Sequence, residues 1–257
     1  MLGIENKYSV NTPVSGHLEK KMPKITVIVP ALNEEKNLPH LLPKMPPIVD
    51  EVLLVNGLST DRTLEVAIKH RPDIRIIHQD GKGKGNAIRN GVRYATGDIV
   101  VMIDADISMN PGEIPSFIEP LIAGYDLAKG SRFISNGGTA DMNLFRRFGN
   151  SCFLFLVNLL FGGKYTDLCY GYAAFWRESF HAMDITSDGF EIETEMNIKS
   201  LQRGLRVKEV PSYEEARLSG KTNLRAFRDG MRIIKTILKL RFSKTSHSSR
   251  KSPRSQN

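Results

Sequence analysis

At 257 residues, with 40% hydrophobic side chains, the chain is long enough for one large α/β domain, or two small ones, with a real core. The net charge of +8 gathers from Lys221 onward, where Asp229 is the only acid, and a basic end suits an anionic partner such as nucleic acid or a membrane surface. Zinc-finger spacing and RNA-binding aromatic signatures are absent, which argues against nucleic acid. Cys152 and Cys169 lack metal-ligand spacing and read as small hydrophobes in a reduced setting. Residues 1–22 hold no apolar stretch of signal-peptide length. The greasy run Cys152–Phe161 is broken by Asn158 and falls short of a spanning helix, which needs roughly 18–20 apolar residues.

In chain order, Ile25–Val29 predicts a buried strand closed by Pro30, and Glu51–Val55 predicts a second. Ser59-Thr60-Asp61 supplies caps for a helix to about His70. Ile74–His78 is the third strand, followed by the glycine-rich Gly81–Gly85 and a helix to about Ala95. Ile99–Ile103 is the fourth. Strands alternating with helices imply a mostly parallel sheet with right-handed crossovers.

Beyond it, Ile114–Ala123 predicts a helix and Asp126–Ser131 a short strand. Ser135–Asp141, polar and glycine-containing, reads as a mobile loop. Phe145–Phe161 is predicted helical, Ala173–Trp176 extended, Glu191–Arg203 an amphipathic helix and Arg206–Val210 a final strand. In the last helix, Leu224–Leu240, Arg228, Arg232, Lys235 and Lys239 share one face, with Phe227, Met231, Ile234 and Leu238 on the next. Such a helix lies on a membrane or packs on its own domain. The expected organisation is an N-terminal extension (1–22), a main domain (23–223), the basic amphipathic helix (224–242) and a disordered basic tail (243–257).

The chemistry concentrates where the fourth strand runs into Asp104-Ala105-Asp106. Alternate residues of an extended chain point the same way, so both carboxylates face one point beyond the strand's carboxyl end. Open α/β sheets bind ligands there. Two hard oxygen donors suit Mg²⁺ or Mn²⁺ carrying a diphosphate, although a bare D-x-D is also common as a solvated turn. The glycine segment misses the third glycine of a dinucleotide fingerprint and lacks the Gly-Lys-Ser/Thr of a P-loop. Lys82 and Lys84 therefore read either as cations for a diphosphate leaving group or as part of a basic loop capping a helix.

Taken together, Val27-Ile-Val-Pro-Ala-Leu-Asn-Glu-Glu35, Val55-Asn-Gly-Leu-Ser-Thr-Asp-Arg-Thr63, Gly83-Lys-Gly-Asn-Ala87 and Asp104-Ala-Asp106 resemble glycosyltransferase family 2. The resemblance implies an inverting hexosyltransferase with a GT-A fold, a mostly parallel nucleotide-diphospho-sugar-binding sheet flanked by helices. By position it places Pro30, Ala31, Asn33 and Glu35 at the nucleoside, Asn56 and Asp80 near the base, Lys84 and Ala105 at the donor, and Mg²⁺ or Mn²⁺ on Asp104 and Asp106. Asn56 stands where the family usually has aspartate, and Leu58 replaces a common glycine or polar residue.

Gly130–Phe133, Thr166–Phe175, Gly189–Glu195 and Arg217–Thr222 narrow the resemblance to polyprenyl- and dolichyl-phosphate sugar transferases. That implies a polyprenyl-phosphate acceptor met at the cytoplasmic face of the cell membrane through a peripheral contact. Arg132, Arg146, Arg147 and Arg217 are the phosphate-binding candidates, and Arg132 and Glu193 join the two aspartates as catalytic candidates. Phe153, Phe155, Leu156, Leu159 and Leu160 would touch lipid or form core. A glycan or soluble hydroxyl acceptor would instead require a base, drawn from Asp167, Glu191 or Glu193. A catalytically silent nucleotide-sugar-binding protein is the alternative of a different class.

Overall fold

The protein's structure, a computed structural model, describes residues 22–220 and 224–243. The first half runs β1 (Ile25–Ala31), α1 (Leu38–Leu41), β2 (Glu51–Asn56), α2 (Thr63–His70), β3 (Arg75–His78), α3 (Lys84–Tyr94), β4 (Ile99–Met102), α4 (Ile114–Ile122) and β5 (Leu127–Ser131). It continues through β6 (Gly138–Thr139), α5 (Leu144–Phe161), β7 (Ala173–Trp176), α6 (Arg177–Met183), α7 (Ile192–Gln202), β8 (Val207–Pro211), β9 (Tyr213–Glu214) and α8 (Ala226–Phe242).

Seven strands form the main sheet in the order β3-β2-β1-β4-β7-β5-β8. All neighbours are parallel except β7, which lies antiparallel between β4 and β5. β1 and β4 are apolar at nearly every position because helices cover both sides of the sheet. Strand alternation sorts their side chains. Val27 and Val29 point to the layer containing Leu38, Leu41 and Phe117, whereas Ile28 and Val100 point to the layer containing Ile88, Phe175 and Met196. β1 does not stop at Pro30 but continues to Ala31, with Pro30 in register with Val55. The fixed φ of proline is compatible with an extended strand end.

Three further expectations are corrected. Residues 135–141 are tied down, since β6 pairs with β9 and Ala140 N donates to Glu214 O. α7 has no polar face. Glu193, Glu195, Asn197 and Ser200 are buried beside Ile192 and Met196, each with a polar partner. Glu195, for example, accepts from the Thr186 and Ser187 amides, which with Lys199 hold its carboxyl below the usual range against the upward push of burial.

The third correction concerns membrane length. α5 has 18 residues and, by length and composition, is apolar enough to cross a bilayer. Leu144 to Ser151 lengthen the helix and bring Leu144, Phe145 and Phe148 along with Arg146 and Arg147, and Asn158 is absorbed by paired hydrogen bonds with the Tyr165 backbone. Here α5 lies on the domain: Val157 joins Tyr165 and Ile198 in a third core cluster. α8 seals that cluster with Ile233, Ile237 and Leu240 rather than with Phe227, Met231 and Leu238, which remain exposed. The basic tail and N-terminal extension lie outside the described residues, apart from Met22 and Ser243.

Candidate active site

As β4 ends, Ile103 N is held by Ile28 O on β1, and the next residues leave the sheet carrying Asp104 and Asp106. Asp104 receives Lys84, whose Nζ lies 2.6 Å from Oδ1 and 2.9 Å from Oδ2. The same Nζ is 2.9 Å from Glu193 Oε1. Burial alone would lower the Lys84 pKa, but the two carboxylates outweigh it and raise it above the ordinary lysine range. Glu193, also buried, is pushed upward by desolvation, and Lys84 offsets that only in part.

Glycines make this pairing possible. Gly83 enters α3 at φ +94°, and a Cβ there would run into the Asp188 carbonyl. A Cβ on Gly171 would strike Lys84 Nζ and come within 3.0 Å of Glu193 Oε1. Asp106 faces the other way around the turn, where Ile107 adopts φ +69°. Its Oδ1 accepts from Ser108 N at 3.0 Å and Ser108 Oγ at 2.6 Å, and its Oδ2 lies 2.6 Å from Arg217.

Two clefts meet at this centre and share Lys84, Asp104, Asp106, Phe190 and Arg217. The first, about 470 Å³, is walled by Pro30, Ala31, Glu34, Gly57, Gln79 and Ala105, with Leu32 and Leu58 at its rim. Burial raises the Glu34 carboxyl, partly offset by the Asn37 amide, and Asp106 and Asp104 add to the rise. Leu58 sits at φ +64° and the residue is 60% exposed. For a residue bearing a Cβ that conformation costs roughly 1–2 kcal/mol.

The second cleft, about 200 Å³, passes Arg132, Glu193 and Glu214, then Arg146 with its partner Asp141. It ends among Phe145, Phe153, Leu224 and Ile233. Arg132 is locked in place. Its Nε and Nη2 reach the two oxygens of Asp167 at 2.7 and 2.9 Å, Nη1 reaches Glu214 at 2.9 Å, and the guanidinium lies 4.8 Å from the Tyr170 ring centroid. Burial pulls the Asp167 carboxyl up, but Arg132 wins and holds it below the usual range.

Among the expected site residues, Pro30, Ala31, Lys84, Asp104, Ala105, Asp106 and Arg217 line the first cleft, and Arg132, Arg146 and Glu193 line the second. Five do not line either. Asn33 accepts from Thr60 N, and Glu35 accepts from Arg62 N, so both stitch the β1 loop to the β2 loop. Asn56 is spent on His78 and the Ser59 amide. Asp80 binds Asn86, Asn90 and Arg93 on α3, which hold its pKa at about 2. Arg147 stacks on Phe133. Of the three candidate bases, Asp167 is consumed by Arg132 and Glu191 turns back to the Gly189 amide, leaving only Glu193 in a cleft.

Glu34, Gln79 and Gly171 were not singled out by the sequence. The left-handed Asn33, at φ +60°, turns its neighbours so that Glu34 rather than Asn33 or Glu35 faces the cleft. Gln79 carries no pattern of its own beside the Gly-x-Gly repeat around Lys82 and Lys84, and Gly171 lies within an aromatic stretch, Tyr170-Gly171-Tyr172.

Residues 26–183 match the family described as Glycosyl transferase family 2. The chain belongs to that family. This glycosyltransferase is 34% identical over 212 residues to glycosyltransferase AglJ of Haloferax volcanii, covering 80% of this chain and 68% of the relative. It is 32% identical over 220 residues to the dolichyl-phosphate hexose transferase of the same organism, covering 84% and 93%. Among solved structures, glucosyl-3-phosphoglycerate synthase from Mycobacterium tuberculosis, in complex with Mn²⁺, UDP-glucose and phosphoglyceric acid, aligns with a TM-score of 0.68. That alignment has 25% identity and covers 85% of this chain and 80% of the synthase. The central sheet and its flanking helices are those of the GT-A fold, as the family resemblance implied.

Proposed function

We propose that this glycosyltransferase moves a sugar from a nucleotide-diphosphate donor to a polyprenyl-phosphate-type lipid carrier at the cytoplasmic face of the cell membrane. The observation that carries the reading is the second cleft. It runs without interruption from Asp104, Asp106 and Arg132 to apolar walls on α5 and α8, as an amphiphilic acceptor requires. A relative named for dolichyl-phosphate hexose transfer agrees with it.

Asp104 and Asp106 fit Mg²⁺ or Mn²⁺. The second cleft is lined by six carboxylates against four cations, a charge balance that a divalent ion completes. No group of three or more candidate ligands occurs among the described residues. The two aspartates suit an ion that takes its remaining ligands from donor phosphates and water. When bound, such an ion offsets the charge on the leaving diphosphate.

The chain's own groups do the rest. Lys84, kept protonated, faces the diphosphate, and Arg217 stands at the junction of donor and acceptor. The acceptor phosphate oxygen attacks the anomeric carbon as the bond to the diphosphate breaks, and one in-line step inverts the centre. A phosphate oxygen is already anionic, so no base is needed. Glu193 accordingly orients Lys84, and Arg132 presents the second cleft's fixed guanidinium edge.

Purified protein with Mn²⁺ and a panel of nucleotide sugars tests the reading, with transfer followed into polyprenyl phosphate in vesicles. Lipid-extractable product from one donor is the expected result. Donor hydrolysis without lipid product would overturn the acceptor in favour of a hydroxyl, and silence would favour a binding protein.

The membrane contact follows from the same two helices. Leu144, Phe148, Phe155 and Leu159 on α5 and Phe227, Met231, Leu238 and Phe242 on α8 are exposed. Arg147, Arg228, Arg232, Lys235 and Lys239 stand exposed among them. Apolar side chains interleaved with cations suit an anionic bilayer surface. Phe155→Glu with Phe227→Glu is expected to cut binding to phosphatidylserine vesicles at least about tenfold, since burying each ring contributes roughly 1.5–3 kcal/mol. Unchanged co-sedimentation of the double variant would remove this face from consideration.

A further inference from the structure

Asn37 is the N-cap residue of α1, a position where asparagine is favoured because its side chain can bond the first turn. This one makes no cap bond. The side chain turns away from the helix, and Nδ2 donates to Glu34 Oε2 and, at 3.2 Å, to Ser219 O, 182 residues along the chain. Both neighbours are acceptors, so only the nitrogen end of the amide can stand between them. The residue is 2% exposed, and its Oδ1 is buried without a hydrogen-bond partner among the described residues. A buried carbonyl oxygen left that way costs stability. With the cap unused and the oxygen unsatisfied, the fold gains little from an asparagine here.

The two bonds join segments with different tasks. Glu34 walls the first cleft. Ser219 lies near the end of a strap, residues 215–220, that leaves β9 and carries Arg217 to the junction of the two clefts. At the start of the strap Glu215 N donates to Ser108 O, on the turn that also binds Asp106. Arg217 stands between these anchors, with Nη2 2.6 Å from Asp106 Oδ2. Leu218, its neighbour, is exposed, so apolar packing of that side chain does little to hold the strap down.

We infer that Asn37 is a positioning residue: its amide ties the strap to the wall of the donor cleft and so sets where the Arg217 guanidinium stands. The consequence for sugar transfer rests on the glycosyl-transfer reading of the clefts. Without the tether the strap keeps its anchor at Ser108 and loses the one at Ser219, and Arg217 no longer has one fixed reach to the junction. A charged group that must meet developing charge is effective only when it is held in place beforehand.

Asn37→Leu keeps the branched shape and withdraws both N–H groups. Two measurements on the full chain test the inference. In limited trypsin digestion read by mass spectrometry, nicking after Arg217 is expected to be about tenfold faster in the variant, while the other sites keep their wild-type rates. In the transfer assay, kcat is expected to fall at least about tenfold. That loss should largely vanish when Asn37→Leu is made in an Arg217→Ala background, because the asparagine acts through the arginine. Asn37→Ser retains a favoured cap residue but is too short to bridge both acceptors, so it should behave alike if the leucine variant folds poorly. Unchanged nicking at Arg217 in both variants overturns the tether. Faster nicking at every site together with a lowered melting temperature assigns Asn37 to the fold and overturns it as well. Full additivity of the two substitutions overturns the route through Arg217. Silence of the wild type toward every donor overturns the transferase reading, and the nicking rates still decide the tether.

Discussion

Arg132→Ala is expected to lose about 3–5 kcal/mol of folding stability at neutral pH, the range for removing one partner of a buried ion pair. The guanidinium is 2% exposed at its side chain and the Asp167 side chain is fully buried, so the substitution strands Asp167 and removes the Nη1 partner of Glu214. Urea denaturation measures the loss directly. Arg132→Lys keeps the charge but not the planar fork that reaches both Asp167 oxygens, so it should fall between wild type and alanine. Removing all three charges, as in Arg132→Met with Asp167→Leu and Glu214→Gln, should recover much of the stability, because no buried carboxylate is then left without its cation.

The pH dependence carries a sign that separates this explanation from simple loss of packing. In the wild type the folded Asp167 pKa is below the unfolded value. Its stabilisation is therefore complete above the unfolded pKa, about 4 for aspartate, and is lost as pH falls through the folded one. Without Arg132, burial dominates and the Asp167 pKa lies above the unfolded value. The stability deficit of Arg132→Ala should then shrink as pH is lowered from 7 toward 5. A deficit independent of pH would refute the stranded-carboxylate account.

Asp106→Asn is expected to reduce sugar transfer at least about a thousandfold with little change in melting temperature. The amide oxygen can still accept from Ser108 N and Oγ, so the turn keeps its local bonds. What is lost is the charge that faces Arg217 and, in the proposed reaction, the divalent ion. Transfer assays across a Mn²⁺ series, alongside thermal melts, make the check. Retention of full metal-dependent turnover would show that Asp106 is not a metal ligand.

The sequence disclosed those parts of the site that local pattern governs. Ile99–Met102 is an apolar run, so the place of Asp104 and Asp106 just past the sheet's carboxyl edge was legible, but the strand stops at Met102 and the turn that follows sends Asp106 to Ser108 and Arg217 rather than to the side of Asp104. Lys84 was legible because glycines on both sides announced a close backbone turn. Long-range partnerships were not legible. Arg132 looked like a phosphate-binding arginine, but its partners Asp167 and Glu214 lie 35 and 82 residues away. The antiparallel placement of β7 between β4 and β5 has no local signature either, since Ala173–Trp176 would read the same in either direction. In α8 the buried stripe and the exposed apolar stripe both follow helical spacing, and only the contacts with α5 and α7 distinguish them.

Among the described residues, each cation that lines the second cleft already faces a carboxylate of the same chain: Lys84 with Asp104 and Glu193, Arg132 with Asp167 and Glu214, Arg146 with Asp141, Arg217 with Asp106. A solitary phosphate entering this cleft must compete with these internal anions for the paired cations. That pairing quenches the second cleft toward simple anions. Selectivity comes from exchange, and the advantage goes to a ligand that brings its own counter-charge or enough apolar surface to compensate for the pair it displaces.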